Sequence, residues 1–256
     1  MSFKSYVKKR LDYKTRLKLR YRLRSMKAFF YQSNLTKLAT IHKTDKSRYH
    51  FYTPHYQRHF SPYKYKKINL LEIGVGGYED PLAGGESLRM WKSFFPFAKI
   101  FSLDIFDKTF LQEKRIKIFT GSQVDEDFLL KVENQAGPFD LIIDDGSHLN
   151  EHVIKSFEIL FPKLKNGGIY VVEDTQTSYW EDYGGSSEER NKEGTIYHFF
   201  KSLIDSLNSE EFIIENYKKT YYDKHIVSMH FYHNLIFIYK GENNETSNKV
   251  HNNQFR

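Results

Sequence analysis

Short apolar runs rich in β-branched and aromatic residues recur along the chain, and helical periodicities fill most of the intervals between them. Ile68–Ile73, Lys99–Leu103, Ile116–Thr120, Leu141–Ile143 and Gly168–Val172 read as strands, most of them too uniformly apolar to have a wet face. Helices are expected over 87–95, with Leu88, Met90 and Trp91 inward, over 126–133, over 151–161, with Val153, Phe157 and Leu160 inward, and over 195–207. Ile226–Tyr232 and Leu235–Tyr239 flank His233-Asn234 closely enough to form an antiparallel hairpin. Alternating strands and helices at this spacing imply an α/β fold, a mostly parallel sheet with helices on both faces.

Outside this region the pattern changes. Residues 1–37 form a basic arm, with a helix expected from about Val7 to Tyr31 whose inward stripe is Leu19, Leu23, Met26 and Phe30. Residues 38–66 are crowded with aromatics and histidines, and Pro54 is expected to interrupt regular structure there. His42, His50, His55 and His59 lack a paired spacing backed by an acid, so an aromatic lid or cofactor flap fits better than a metal site. Residues 67–242 make the main domain. The polar loop after Asp174 carries Tyr179 and Trp180 and suits a lid or substrate wall, and 243–256 reads as a polar, frayed tail.

Charge sharpens this division. Residues 1–27 hold eleven Lys or Arg against one acid, a charge of +10, so the remainder of a chain of formal charge +7 carries −3. Attraction to an anionic membrane or an acidic partner therefore belongs to the arm, and nucleic acid is disfavoured because no recognised binding module accompanies it. The chain has no cysteine, which excludes disulfides, thiolate metal sites and a cysteine nucleophile. With no apolar run long enough to span a bilayer and no secretory leader pattern, a cytoplasmic location is expected, with peripheral contact at the inner face of the membrane.

Chemistry concentrates where strands end. The run Ile68–Ile73 leads into Gly74-Val-Gly-Gly77, where residues without Cβ let a ligand approach the backbone, and Lys99–Leu103 delivers Asp104, placed to accept from ribose hydroxyls. The loop E-I-G-V-G-G is neither a dinucleotide fingerprint nor a P-loop, so a cofactor without phosphates fits better than NAD or ATP. The central run ends in Asp144, Asp145, Gly146, Ser147 and His148, and the next ends in Glu173 and Asp174. Three carboxylates at one sheet edge suit a hard divalent cation, Mg²⁺ most naturally; each taken alone suits a helix cap or an ion pair equally well. His148 is placed to act as a base, or to sit as an ordinary residue at the start of the following helix.

The strings E-I-G-V-G-G-Y-E-D-P, L-D-I-F-D-K, F-D-L-I-I-D-D-G-S-H and G-G-I-Y-V-V-E-D-T together resemble the metal-dependent sugar O-methyltransferases of the mycinamicin and macrocin type, over about residues 38–240. The resemblance implies a Rossmann-like class I S-adenosylmethionine-dependent methyltransferase, with a seven-stranded sheet ending in an antiparallel hairpin. It implies that Glu72, Gly74, Gly76, Gly77 and Asp104 face the cofactor, S-adenosyl-L-methionine, and Ser122 and Asp144 join that set. Asp145, Glu173 and Asp174 would hold Mg²⁺, His148 with Asp145 would be catalytic, and Tyr78, Tyr179 and Trp180 would face the acceptor. The expected acceptor is a nucleotide-linked sugar or a surface-polysaccharide precursor, handled by a homo-oligomer. Rival readings are metal-dependent methylation of a catechol, and a noncatalytic protein recruited through the basic arm.

Overall fold

The structure is a computed structural model that describes residues 11–251 and 253–255. Its strands are β1 (Asn69–Ile73), β2 (Lys99–Asp104), β3 (Ile116–Thr120), β4 (Phe139–Asp144), β5 (Leu164–Glu173), β6 (Ile226–Tyr232) and β7 (Leu235–Lys240). They form one seven-stranded sheet in the order β3-β2-β1-β4-β5-β7-β6. β1, β4 and β5 pair in parallel, and β7 runs antiparallel to both β5 and β6, so the C-terminal hairpin closes the sheet as the sequence predicts. Leu141, Ile142 and Ile143 are completely buried, as a central strand covered on both faces requires. β5 starts earlier than the expected Gly168: it runs from Leu164, with Gly167 in the left-handed region at φ +77°.

Two compact units divide the chain. The first comprises the described part of Met1–Ile68 with Val75–Ser102 and Phe106–Thr120. Its helices are α1 (Tyr13–Ala28), α2 (Leu35–His42), α3 (Thr53–Phe60) and α4 (Glu86–Phe94). Asp12 and Asn34 cap α1 and α2 by accepting from the backbone N–H groups of Thr15 and Lys37. The core is aromatic. Tyr56 and Phe60 of α3 pack on Trp91 of α4 at ring separations of 4.9 and 5.6 Å, and Phe60 reaches Phe95 at 5.9 Å. Pro54 thus opens a helix and does not interrupt regular structure, because the first helical turn needs no N–H from it. In the segment expected to be a lid, Tyr52, Tyr56 and Phe60 are wholly buried while Tyr49 and Phe51 are exposed.

The expected inward stripe of α1 is corrected by the structure. Leu17, Tyr21 and Ala28 are buried, whereas Leu19, Leu23, Met26 and Phe30 face outward. Tyr21 lies under the buried Arg89 guanidinium at 3.6 Å, and Arg24 donates to the His42 carbonyl at 2.9 Å. These polar-capable contacts fix the docked face. The expected helix start near Val7, and the basic residues up to Arg10, lie outside the described residues.

The second unit comprises Asn69–Gly74, Leu103–Ile105 and Gly121–Arg256 in its described part. It holds α5 (Glu126–Ala136), α6 (Asn150–Leu160), α7 (Ile196–Leu207) and the short α8 (Tyr221–His225). Phe157 of α6 packs against Phe161, Tyr170 and Phe200 at ring separations of 4.7, 5.0 and 4.9 Å. The buried Lys240 ammonium donates to the carbonyls of Phe161, Pro162 and Leu164, satisfying the chain end that follows α6. The tail read as frayed is partly built: β8 (Val250–His251) pairs with β9 (Gln254–Phe255), and Asn243 and Asn253 donate to carbonyls of Asp223 and Phe212. Local polar contacts and the buried Val250 hold it.

Burial of His42, reinforced by the neighbouring cations Arg89, Arg24 and Lys92, lowers its imidazole to about 4. Its folded form therefore stays neutral while the unfolded chain takes up a proton below about 6.5. More protons bind the unfolded state between those values, so stability rises with pH across the window and is lost on acidification. Chemical denaturation from pH 7 to 4 should show a loss of up to about 3 kcal/mol in the native protein that His42→Gln does not show; equal slopes in the two proteins would refute the assignment.

Candidate active site

In the strand order, β1 and β4 are neighbours from which the chain winds in opposite directions, the switch point where open α/β sheets admit ligands at their carboxyl ends. The pairing of Ile73 with Asp144 puts Gly74 and Asp145 just beyond that edge. Gly74 has φ +91°, and a Cβ there would stand 2.1 Å from the Asp145 carbonyl oxygen. Only glycine permits this approach. The Asp145 N–H donates to Ile73 O at 3.0 Å and the Gly74 N–H to Leu103 O at 2.8 Å, so both chain exits are fixed by the sheet.

Two groups of ligand atoms share Asp145. Its carboxylate gathers with those of Glu72 and Glu173 in one group, and with Asp174 and His148 in the other; within each, the atoms lie no more than 4.8 Å apart. Glu72 and Glu173 are almost entirely buried, Asp145, His148 and Asp174 half-buried. Carboxylates this close repel unless a cation or shared protons intervene. Of the three expected ligands, Asp145 thus lies with Asp174 in one group and with Glu173 in the other, where Glu72, which the resemblance placed with the cofactor, joins them. Adjacent strand residues point to opposite faces, so Glu173 and Asp174 would diverge; Asp174 adopts φ +52°, which ends the strand and lets both carboxylates approach Asp145.

His148 also lies in the left-handed region, at φ +58°. Its Nε2 stands 3.6 Å from Asp174 Oδ2 and 3.9 Å from Asp145 Oδ1, while its buried Nδ1 makes no hydrogen bond among the described residues. Two non-glycine residues held at positive φ cost about 1–3 kcal/mol each, a strain characteristic of functional loops.

A neutral network beneath the site supports this loop. Gln123 donates from Nε2 to Ser156 Oγ at 2.9 Å and to Asp144 Oδ1 at 3.3 Å, and its Oε1 accepts from the Ser147 N–H at 2.8 Å. Gly146 carries no Cβ because one would lie 2.3 Å from that Oε1. Asp144 also accepts from the Gly146 N–H and the Tyr170 hydroxyl. Burial raises its carboxyl to about 7. With no accessible surface and oxygens engaged by Gln123, Tyr170 and Gly146, Asp144 supports the loop from below.

The polar loop after Asp174 is held by Asn150, the first residue of α6. Its amide donates to the carbonyls of Thr177 at 3.1 Å and Tyr183 at 2.7 Å, and its oxygen accepts from the Ile196 N–H at 2.8 Å. Tyr179 and Trp180 emerge half-exposed, with Tyr179 beside Tyr197 at 5.5 Å and Trp180 beside Tyr183 at 5.8 Å. Nothing in the sequence singled out Asn150 or Gln123. Asp104 lies half-buried at the end of β2, its carbonyl accepting from the Gly121 N–H at 2.9 Å, and Ser122 follows with its hydroxyl accepting from the Val124 N–H. In the first unit, Gly76 and Gly77 have φ near +80°, and Tyr78 is exposed at φ +46°.

No protein-family model matches the chain. It is 46% identical over 214 residues to the mycinamicin VI 2''-O-methyltransferase of Micromonospora griseorubida, covering 83% of this chain and 54% of that protein. The demethylmacrocin O-methyltransferase of Streptomyces fradiae matches to the same extent, at 46% over 214 residues. A 3'-O-methyltransferase of a rhamnosyl tetracenomycin from Streptomyces olivaceus is 42% identical over 214 residues. Among solved structures, the MycE methyltransferase of the mycinamycin pathway in complex with Mg and SAH superposes with a TM-score of 0.81 at 46% identity, covering 83% of this chain and 56% of that one. The chain thus spans about half the length of the relatives it matches.

Replacing Asn150 by Ala strands two carbonyls and one N–H in a buried setting, at about 1–3 kcal/mol for unsatisfied groups of this kind. Thermal unfolding of Asn150→Ala should show that loss, and hydrogen exchange should accelerate over 175–196; unchanged exchange there would remove Asn150 from its anchoring role.

Proposed function

We propose that this chain, which belongs to the sugar O-methyltransferase family of class I S-adenosylmethionine-dependent methyltransferases, transfers a methyl group from S-adenosyl-L-methionine to a sugar hydroxyl with the help of Mg²⁺. The observation that carries the reading is Asp145, shared between two groups of ligand atoms immediately beside the Gly74 turn. Oxygen donors dominate both groups, as a hard divalent cation prefers, and at Gly76 nothing lies within 4 Å of where a Cβ would stand, which leaves that backbone open to a ligand. The residues present therefore fit both the cation and the cofactor.

Asp145, Glu173 and Asp174 would hold the metal, Glu72 bracing Asp145 and Glu173 from the buried side. The backbone at Gly74, Gly76 and Gly77 would line the cofactor, with Asp104 accepting from its ribose hydroxyls and Ser122, just past the end of β3, joining that set. When bound, Mg²⁺ lowers the pKa of an acceptor hydroxyl, and S-adenosylmethionine supplies the methyl group and the leaving group. His148 takes the proton at Nε2, where Asp174 and Asp145 stabilise the imidazolium that results. The loop anchored by Asn150 presents Tyr179 and Trp180 as flat faces for a sugar ring and keeps water from the reacting atoms.

For the acceptor, the reading is a polar sugar, nucleotide-linked or part of a surface-polysaccharide precursor. Supporting it is the hydroxyl- and acid-rich composition of the loop from Thr175 to Glu193. A panel of sugar nucleotides, glycan precursors and glycosylated macrolides, incubated with cofactor and Mg²⁺ and read by mass spectrometry, tests this directly. Gain of one methylene on a polar sugar, abolished by EDTA, is the expected result; gain on the macrolides alone would reject the acceptor class, and failure to bind S-adenosylmethionine in calorimetry would reject the activity.

His148→Ala should lower turnover about 10²–10⁴-fold, the usual range for losing a general acid–base group, while calorimetric cofactor affinity is retained. Turnover within a few-fold of the native protein would exclude His148 as the base. Asp145→Asn should raise the Mg²⁺ concentration needed for half-maximal rate, and an unmoved metal profile would exclude ligation.

A further inference from the structure

Helix α1 and the 3-10 turn that follows it, Phe29–Tyr31, carry two stripes on opposite sides. Leu17, Tyr21 and Ala28 are buried, while Leu19, Leu23, Met26, Phe29 and Phe30 are 40%, 58%, 66%, 68% and 80% exposed. The spacings of three and four that align Leu19, Leu23, Met26 and Phe30 make the outward set a continuous apolar ridge. Four large side chains in line on an exposed face, with Phe29 exposed beside them, would aggregate or bind something.

The residues flanking the ridge identify its occupant. At 3.6 residues per turn, Arg16, Arg20 and Lys27 fall along one side and Lys18 and Arg22 along the other. Helix α1 holds seven basic residues and no acid. An apolar ridge bordered on both sides by cations is the cross-section of a helix lying in the plane of a lipid interface. The apolar side chains enter the acyl boundary, and the long basic ones reach sideways to headgroup phosphates. A second copy of the chain fits poorly, because a two-fold contact would set this strongly basic face against itself. A nucleic acid would meet the cations but leave the ridge facing its own hydrated backbone. Among the described residues no helix is long and apolar enough to cross a membrane, so the contact is with a surface.

We propose that α1 and the turn after it dock the protein in plane on an anionic lipid surface, with Leu19, Leu23, Met26 and Phe30 inserted and the flanking Lys and Arg residues on the headgroups. The inference does not depend on the acceptor, and its test does not measure methyl transfer.

The full chain is co-sedimented with vesicles of phosphatidylcholine alone and of phosphatidylcholine mixed with phosphatidylglycerol, across a salt series. Binding is expected only to the anionic vesicles and should weaken with salt. Arg22→Gln should lower the partition coefficient about fivefold, the effect of one basic residue near such a surface. Leu23→Ser/Phe30→Ser should lower it further with an unchanged melting temperature, since both side chains are exposed. Equal binding to neutral vesicles, no binding to either, or indifference to the Leu23/Phe30 substitutions would each overturn the proposal. So would a concentration-dependent dimer in sedimentation velocity that those substitutions abolish, which would assign the ridge to a second copy. Binding to an RNA probe at the same salt, insensitive to the Leu23/Phe30 substitutions, would assign the cations to nucleic acid instead.

Discussion

Like-charge repulsion at the carboxyl edge of β1, β4 and β5 is the constraint around which the second unit is built. Parallel pairing of Ile73 with Asp144, and of Asp144 with Val172, brings the ends of three strands level. Glu72, Asp145 and Glu173 then crowd together at a buried edge whether or not anything neutralises them. A sheet can tolerate this only if the chain between the carboxylates is held by other means. Those means are hydrogen bonds: the Gln123 amide, the Tyr170 hydroxyl and the Gly146 N–H all donate to the buried Asp144, whose carboxyl burial raises above the ordinary carboxylate range.

The strain at the site follows from the same constraint. Asp174 must depart from strand geometry if its carboxylate is to share Asp145 with Glu173, and His148 must turn back toward both within three residues of Asp145. Neither conformation is favourable for a residue with a Cβ. Both are held by neighbours of fixed position: β5 and the Asn150-anchored loop on one side, the Gln123 network on the other. Such over-determination keeps the imidazole beside the carboxylates before any ligand arrives, so little reorganisation is left for a reaction to drive.

The strands and their terminal acids were legible in the sequence because burial on both faces of a parallel sheet demands an unbroken apolar run, and such a run ends visibly at Asp104, Asp145 or Glu173. What periodicity could not reveal was which of two stripes on α1 would be buried. Leu19, Leu23, Met26 and Phe30 repeat as regularly as Leu17, Tyr21 and Ala28, and are more apolar. The decision lay in partners remote in sequence: Arg89 stacks on Tyr21, and the His42 carbonyl receives Arg24. The same limit applies to the segment of tyrosines and histidines before β1, where an aromatic side chain reads equally as a stacking face or as core. Gln123 and Asn150 were invisible for a simpler reason, since a single amide carries no pattern.

The outward stripe of α1 follows from how its inward one is chosen. A helix docked through Leu17, Tyr21, Ala28 and Arg24 needs few further apolar residues on that side, so Leu19, Leu23 and Met26 are released to the opposite face. Ordinary selection for solubility would replace them with polar residues, because each exposed apolar side chain there adds nothing to the docked contact. Instead the ridge is continuous and lies between two rows of cations. Apolar and basic residues in that arrangement oppose one another in water, where the cations gain nothing from the ridge and the ridge gains nothing from the cations. They act together only at a boundary that is apolar below and anionic at its surface.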